Sequence, residues 1–216
     1  MSTQAREGTQ RLTEELRRSL DTNVIAKGTL QTNDRIIASV TDGIYREPWS
    51  AFRELVSNAY DADATEVTID SDYPFFNQIK ISDNGSGMSL ETVADLLMNI
   101  GGSSKRTSRG KKLGTVNSDD ARLSPKGRKL IGKIGIGLFA VAQLTNQFQI
   151  ITKRKGENIQ TLATVSINTF REDKLANDDA DEYVSGSFSA IAEYAEDVES
   201  HGTSICLLYT SPSPRD

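Results

Sequence analysis

The segment Asp83-Asn84-Gly85-Ser86-Gly87-Met88 sits where two different hydrophobic periods meet. Just before it, Ile79 to Ser82 alternates apolar and polar residues as a half-buried strand does. Just after it, Leu90 to Ile100 has the spacing of an amphipathic helix. A strand that delivers an aspartate into a turn with two glycines is a narrow local solution. Glycine reaches backbone conformations closed to other residues and lets the main chain approach a ligand closely. The same pattern also suits a plain Asp-Gly turn that only closes a strand.

The rest of the chain supplies the company for this turn. Residues 9–20 carry Leu12, Leu16 and Leu20 at intervals of four and read as a helix. Residues 31–45 read as a connector, and Pro48 stands where a first helical turn tolerates proline. From Trp49 to Ala62 the pattern is helical, with Phe52, Leu55, Val56 and Ala59 as its apolar stripe. Glu66 to Asp70 alternates as a strand; Phe148 to Thr152, Thr161 to Ile167 and Thr203 to Ile205 also read as strands. Residues 101–130 read as one long loop of the kind that serves as an active-site lid, and another helix begins at Gly137. This order predicts an α/β (α+β) two-layer sandwich. Helices lie on one face of a mixed, mostly antiparallel sheet, without the strict alternation of a doubly wound fold.

Composition narrows the function classes. The net charge of −5 gives no bulk attraction to nucleic acid, yet Ser103 to Lys133 holds ten Lys or Arg against Asp119 and Asp120. That imbalance fits a local anion such as phosphate, and fits equally a solvated loop. Cys206 is the single cysteine and His201 the single histidine, which excludes an intrachain disulfide and a multi-histidine zinc site. The sequence has no apolar run long enough to span a bilayer, and its first residues are too polar for a signal peptide, so a cytoplasmic protein is expected.

Three further stretches carry polar chemistry. Glu54, Asn58 and Asp61 stand at i, i+4 and i+7 and share one face of the 49–62 helix, which would also suit a solvated face. Gly132-Lys133-Ile134-Gly135-Ile136-Gly137 precedes an apolar helix, and a helix N-terminus with unpaired N–H groups is a phosphate site. It does not follow a strand, and no Gly-x-x-x-x-Gly-Lys-Ser/Thr is present, so neither the dinucleotide fingerprint nor the P-loop fits. The fourth stretch, His201-Gly202-Thr203-Ser204-Ile205, enters the last strand.

In this order and spacing the four stretches resemble the ATP site of the gyrase, Hsp90, histidine-kinase and MutL superfamily, the Bergerat fold. The resemblance runs from about Pro48 to Ile205. GKIGIGLFA is closer to the Hsp90 and MORC branches than to the kinase branch, and Gly101 to Arg106 is also similar to MORC-type proteins.

The resemblance implies roles residue by residue. Asp83 would accept a hydrogen bond from the adenine amine, helped by Thr203 through a water. Gly85, Gly87 and Met88 would line the base, and Asn58 would give its side-chain oxygen to Mg²⁺. Glu54 would be the general base on the attacking water. Asp61 and Asn99 would lie on the nucleotide side, and Lys105, Lys133, Gly135 and Gly137 would meet the phosphates. The expected activity is Mg²⁺-dependent ATP hydrolysis driving lid closure and dimerisation, with ATP and ADP as ligands and the client, protein or nucleic acid, left open. The alternatives are the catalytic domain of a sensor histidine kinase and a non-hydrolysing nucleotide-binding module. Three regions are expected: a helical extension over 1–30, the ATP-binding domain over 31–205, and a tail over 206–216. The tail, CLLYTSPSPRD, is similar to the translation of a sequencing-library adapter and is expected to be foreign to the protein.

Overall fold

The computed structural model describes residues 3–32, 49–99, 108–131, 141, 144–167 and 183–208. Helix α1 (Thr3–Thr22) extends the expected helix toward the N-terminus and buries Leu12 and Leu16. Strand β1 (Ala26–Thr32) follows, then helix α2 (Trp49–Asp61), strands β2 (Val67–Asp70) and β3 (Gln78–Asp83), and helix α3 (Leu90–Met98). A short helix α4 (Ser108–Leu113) precedes strands β4 (Gln147–Lys153), β5 (Ile159–Ile167), β6 (Tyr183–Tyr194) and β7 (Gly202–Leu208).

The strands form one seven-stranded sheet in the order β1-β6-β5-β4-β7-β3-β2, and every described pair is antiparallel. The alternation of β5 shows which face is covered: Thr161, Ala163, Val165 and Ile167 are buried, and the residues between them are half-buried. Phe148 and Ile150 from β4, Phe188 and Ala190 from β6, and Leu207 from β7 join that face. Leu12 and Leu16 of α1, Leu55 of α2 and Val93, Ala94 and Leu97 of α3 pack on it as a single hydrophobic cluster. This is the expected two-layer sandwich. Removal of this apolar area from water, at about 25 cal/mol per Å², is what holds α1, α2 and α3 to the sheet.

Three expectations change. Two strands went unread, β1 and β6, and β6 is the neighbour of both β1 and β5. Residues 101–130 are not one loop: Ser108–Leu113 is helical, and Leu123 pairs with Lys129 in an antiparallel bridge. Val56, read into the apolar stripe of α2, is 41% exposed, because that stripe is narrower than its apolar residues. Pro48, most of the connector after Thr32, and most of the helix expected from Gly137 lie outside the described residues. Cys206 to Leu208 pair within β7. Among the described residues no helix is long and apolar enough to cross a membrane.

Candidate functional site

Asp83, Thr203 and Thr152 stand side by side on three adjacent strands. Asp83 ends β3 and pairs with Thr203 at the start of β7, which in turn pairs with Thr152 of β4. The next residues in the row are Gly202 and Lys153. The site is therefore laid across the sheet at one end of β3, β7 and β4, and the turn that follows Asp83 folds over that end.

The backbone of the turn is fixed at almost every residue. Asn84 reaches back with its side-chain oxygen to accept the N–H groups of Thr65 at 2.8 Å and Glu66 at 3.0 Å. The Gly85 N–H donates to Asp83 Oδ1 at 2.8 Å, and the Gly85 carbonyl lies 2.6 Å from His201 Nδ1. The Ser86 N–H donates to the Ala62 carbonyl at 2.8 Å, and the Ser86 carbonyl accepts the Lys155 N–H at 3.0 Å. The Met88 N–H donates to Thr152 Oγ1 at 3.0 Å. Gly87 has φ +65°, and a Cβ there would lie 1.9 Å from the Lys153 carbonyl oxygen. Glycine is required at this position on both counts.

Thr152 is a node. Its hydroxyl lies 3.0 Å from the Gly202 carbonyl and 3.0 Å from Thr203 Oγ1, besides accepting from Met88. A hydroxyl has one proton and two lone pairs, so Thr152 donates to Gly202 and Thr203 donates to Thr152. Gly202 has φ +128°, with room for no Cβ, since that atom would lie 2.0 Å from the Asp83 carbonyl.

Asp83 is half-buried in this setting. Burial raises its pKa above the ordinary aspartate value; backbone hydrogen bonds from Gly85 and Thr203 and the nearby His201 ring pull the other way without cancelling it. A carboxylate that carries this cost gains from a further donor.

Helix α2 meets the turn at its C-terminal end. The Ala62 carbonyl takes the Ser86 N–H, and a Cβ on Gly85 would lie 2.7 Å from that oxygen. Upstream of this contact, Glu54 and Asn58 are half-buried and Asp61 is buried. Asp61 Oδ1 accepts the Ile131 N–H at 2.8 Å, which links it to the main chain that enters the glycine-rich stretch. Two residues on, Asp63 has φ +62° and is buried. Its carboxylate accepts the Ser124 hydroxyl at 2.5 Å and the Lys126 N–H at 2.9 Å. Arg128 lies beside it, donates to the Ala64 carbonyl at 2.6 Å and covers the Tyr60 ring at 5.2 Å. The Leu123–Lys129 turn is thus docked on the end of α2.

Asn99 caps α3, and its side-chain amide donates to Thr9 Oγ1 at 3.2 Å and Asp95 Oδ1 at 2.8 Å. That group is turned toward α1 and its own helix. The Met88 side chain packs against the hydrophobic cluster. Lys105, Lys133, Gly135 and Gly137 lie outside the described residues. Sequence reasoning missed Thr152, Lys153 and Asp63 and gave His201 no role. Position in the last strand motif was the only signal for His201, and none pointed to the others.

A family model for histidine kinase-, DNA gyrase B- and HSP90-like ATPases matches residues 45–203. The chain is 30% identical over 117 residues to a putative type II restriction enzyme, HgiDII, of Herpetosiphon aurantiacus, covering 54% of this chain and 16% of that protein. It is 27% identical over 139 residues to the chaperone protein HtpG of Chlorobium phaeobacteroides, covering 56% and 21%. Against the DNA mismatch repair protein MutL of Macrococcus caseolyticus it is 35% identical over 80 residues, covering 36% and 12%. The chain thus spans about a fifth or less of the length of these curated relatives. On the match over residues 45–203, the chain belongs to the family of histidine kinase-, DNA gyrase B- and HSP90-like ATPases.

Proposed function

We propose that this chain binds ATP with Mg²⁺ and hydrolyses it slowly, as a switch whose lid closes over the nucleotide and favours pairing with a second copy. The observation that carries the reading is Asp83, a carboxylate at the end of β3 held at a cost in burial and bordered by a turn with no freedom left. The adenine amine is the donor this carboxylate needs, and Gly87 lets the turn beside it pack against the Lys153 main chain. Thr203, held by Thr152, braces the far side of Asp83.

Asn58 offers an oxygen suited to Mg²⁺, a hard cation that keeps several waters and needs only one or two protein ligands. When bound, the ion supplies charge neutralisation at the phosphates. Glu54, one turn earlier on the same helix, takes the proton from the attacking water. Lys105, Lys133 and the N–H groups of Gly135 and Gly137 are assigned to the phosphates, and Asp61 positions the start of that stretch through Ile131. Gly85 completes the nucleotide side; Asn99 and Met88, expected there, are turned to α1 and to the hydrophobic cluster. A cytoplasmic setting, where ATP and Mg²⁺ occur together, suits the activity. The relatives are named for restriction, chaperoning and repair, so the likeness assigns no single process or client to this chain.

The test is calorimetric titration of ATP with Mg²⁺ into the parent and into Asp83→Asn. Binding by the parent and its loss in the variant supports the adenine site. A folded parent that does not bind ATP overturns the reading. Binding without any turnover would favour a non-hydrolysing module instead.

A further inference from the structure

The Gly85–Ser86 peptide is the one part of the turn whose two polar atoms are gripped from opposite sides. Its N–H, on Ser86, donates to the Ala62 carbonyl at 2.8 Å, and its carbonyl, on Gly85, faces His201 Nδ1 at 2.6 Å. A carbonyl oxygen only accepts, so His201 holds its proton on Nδ1 and donates it here. The histidine is itself held in place. It follows a turn in which Asp197 Oδ1 accepts the N–H groups of Glu199 at 2.9 Å and Ser200 at 3.2 Å. The buried Lys153 donates through Nζ to the Val198 carbonyl at 2.7 Å and to the Ser200 carbonyl at 2.5 Å. On the other side of His201, Gly202 packs its backbone closely against the Asp83 carbonyl.

From this geometry we infer that His201 is a positioning residue that sets base specificity, resting on the reading of Asp83 as the adenine acceptor. Glycine has the widest choice of backbone conformations. Freed of His201, the Gly85 carbonyl loses its donor, and Gly85, whose N–H in the preceding peptide steadies Asp83 Oδ1, gains freedom on both sides of its Cα. The carboxylate then samples several orientations. An amine at position 6 of a purine needs an acceptor fixed in direction, whereas an oxo group there is repelled by a carboxylate and gains when that carboxylate turns aside. Loss of the His201 contact therefore weakens ATP selectively and relaxes the preference over GTP. A general loss of stability would weaken both nucleotides together.

The experiment compares ATP and GTP affinities, each with Mg²⁺, by calorimetry on the parent, His201→Leu and His201→Asn, with thermal melting run alongside to report folding. Asparagine places an N–H near the position of Nδ1, and leucine fills the space without a donor. The expected result is a drop of about tenfold in ATP affinity for His201→Leu, the scale of one buried hydrogen bond, with a lower ATP-to-GTP ratio. His201→Asn should recover most of the ratio. An unchanged ratio in a folded His201→Leu overturns the inference and leaves the adenine site standing. Leucine and asparagine variants that lose the ratio equally also overturn it, since the donor would not be what matters. A folded parent that binds neither nucleotide overturns the Asp83 reading, and this inference with it.

Discussion

Asp61 Oδ1 accepts the N–H of Ile131 at 2.8 Å, tying the last residue of the helix that carries Glu54 and Asn58 to main chain 70 positions away. Both partners matter locally: Asp61 is buried, and Ile131 immediately precedes the glycine-rich stretch. Asp61→Ala strands a main-chain donor and is expected to cost about 1–3 kcal/mol. For a domain of this size a loss of about 2 kcal/mol lowers Tm by roughly 4–8 °C. Asp61→Asn keeps an acceptor oxygen and should recover much of the loss. Thermal melting measures both, and faster amide exchange at Ile131 in the alanine variant alone would locate the effect.

Asp83 gives a pH prediction with two signs. Its folded-state pKa is raised, chiefly by burial. If Asp83 accepts the adenine amine as proposed, binding needs the charged carboxylate, and ATP affinity should fall as pH drops through that pKa, beginning above the range of an ordinary aspartate. Without nucleotide the linkage runs the other way: the stabilising contribution is complete below the unfolded value of 3.8 and is lost as pH rises through the folded pKa. At neutral pH the empty Asp83→Asn variant should melt no lower than the parent while failing to bind ATP. A clear drop in its melting temperature would count against burial as the dominant influence on Asp83.

Gly87→Ala combines a strained φ of +65° with a contact of 1.9 Å to a main-chain oxygen that has no room to yield. The backbone conformation alone costs about 1–3 kcal/mol. Denaturant unfolding should show a loss at least that large, and ATP binding should go with it. An alanine variant of near-parent stability would mean that the turn can relax away from Lys153.

Glu54→Ala should separate binding from chemistry. Removal of a general base lowers turnover by about 10²–10⁴-fold, and Glu54 is not assigned to the base or the phosphates, so ATP affinity should stay within a few-fold. Phosphate release and calorimetry on the same sample decide this. Equal loss of both would reassign Glu54 to binding.

Proteolysis can report how firmly the segment docked at the end of α2 is held. Asp63 receives the Ser124 hydroxyl and the Lys126 N–H, and Arg128 lies beside it. Asp63→Ala should leave these donors without their acceptor and release the segment, so trypsin should cut after Lys126 and Arg128 several-fold faster than in the parent. Cleavage rates equal to the parent's would show that Tyr60 and the Ala64 carbonyl hold the segment without Asp63.

What could be read beforehand followed from local periodicity. Leu12 and Leu16, the α2 face with Leu55 and Ala59, and the alternation of β3, β4 and β5 all registered because large apolar side chains recur at the period of their element. Strand β6 escaped because much of its buried face is Gly186, Ala190 and Ala192, which carry little hydrophobic contrast. The Asp63 contacts and the His201–Gly85 contact join residues more than 60 positions apart, and the Lys126–Asp63 and His201–Gly85 bonds each have a main-chain end. No spacing within a motif encodes them. Asp83, Thr203 and the glycines were legible because they stand together in short contiguous motifs at the ends of strands.

Most of the bonds that hold the turn from Asn84 to Met88 use main-chain atoms of the turn itself: the Gly85 and Ser86 carbonyls, and the Gly85, Ser86 and Met88 N–H groups. Any residue compatible with the backbone offers those same atoms. A change of the Ser86 side chain would therefore leave these bonds in place, whereas the cradle depends on the glycines, the Asn84 side chain and the outside groups that hold it.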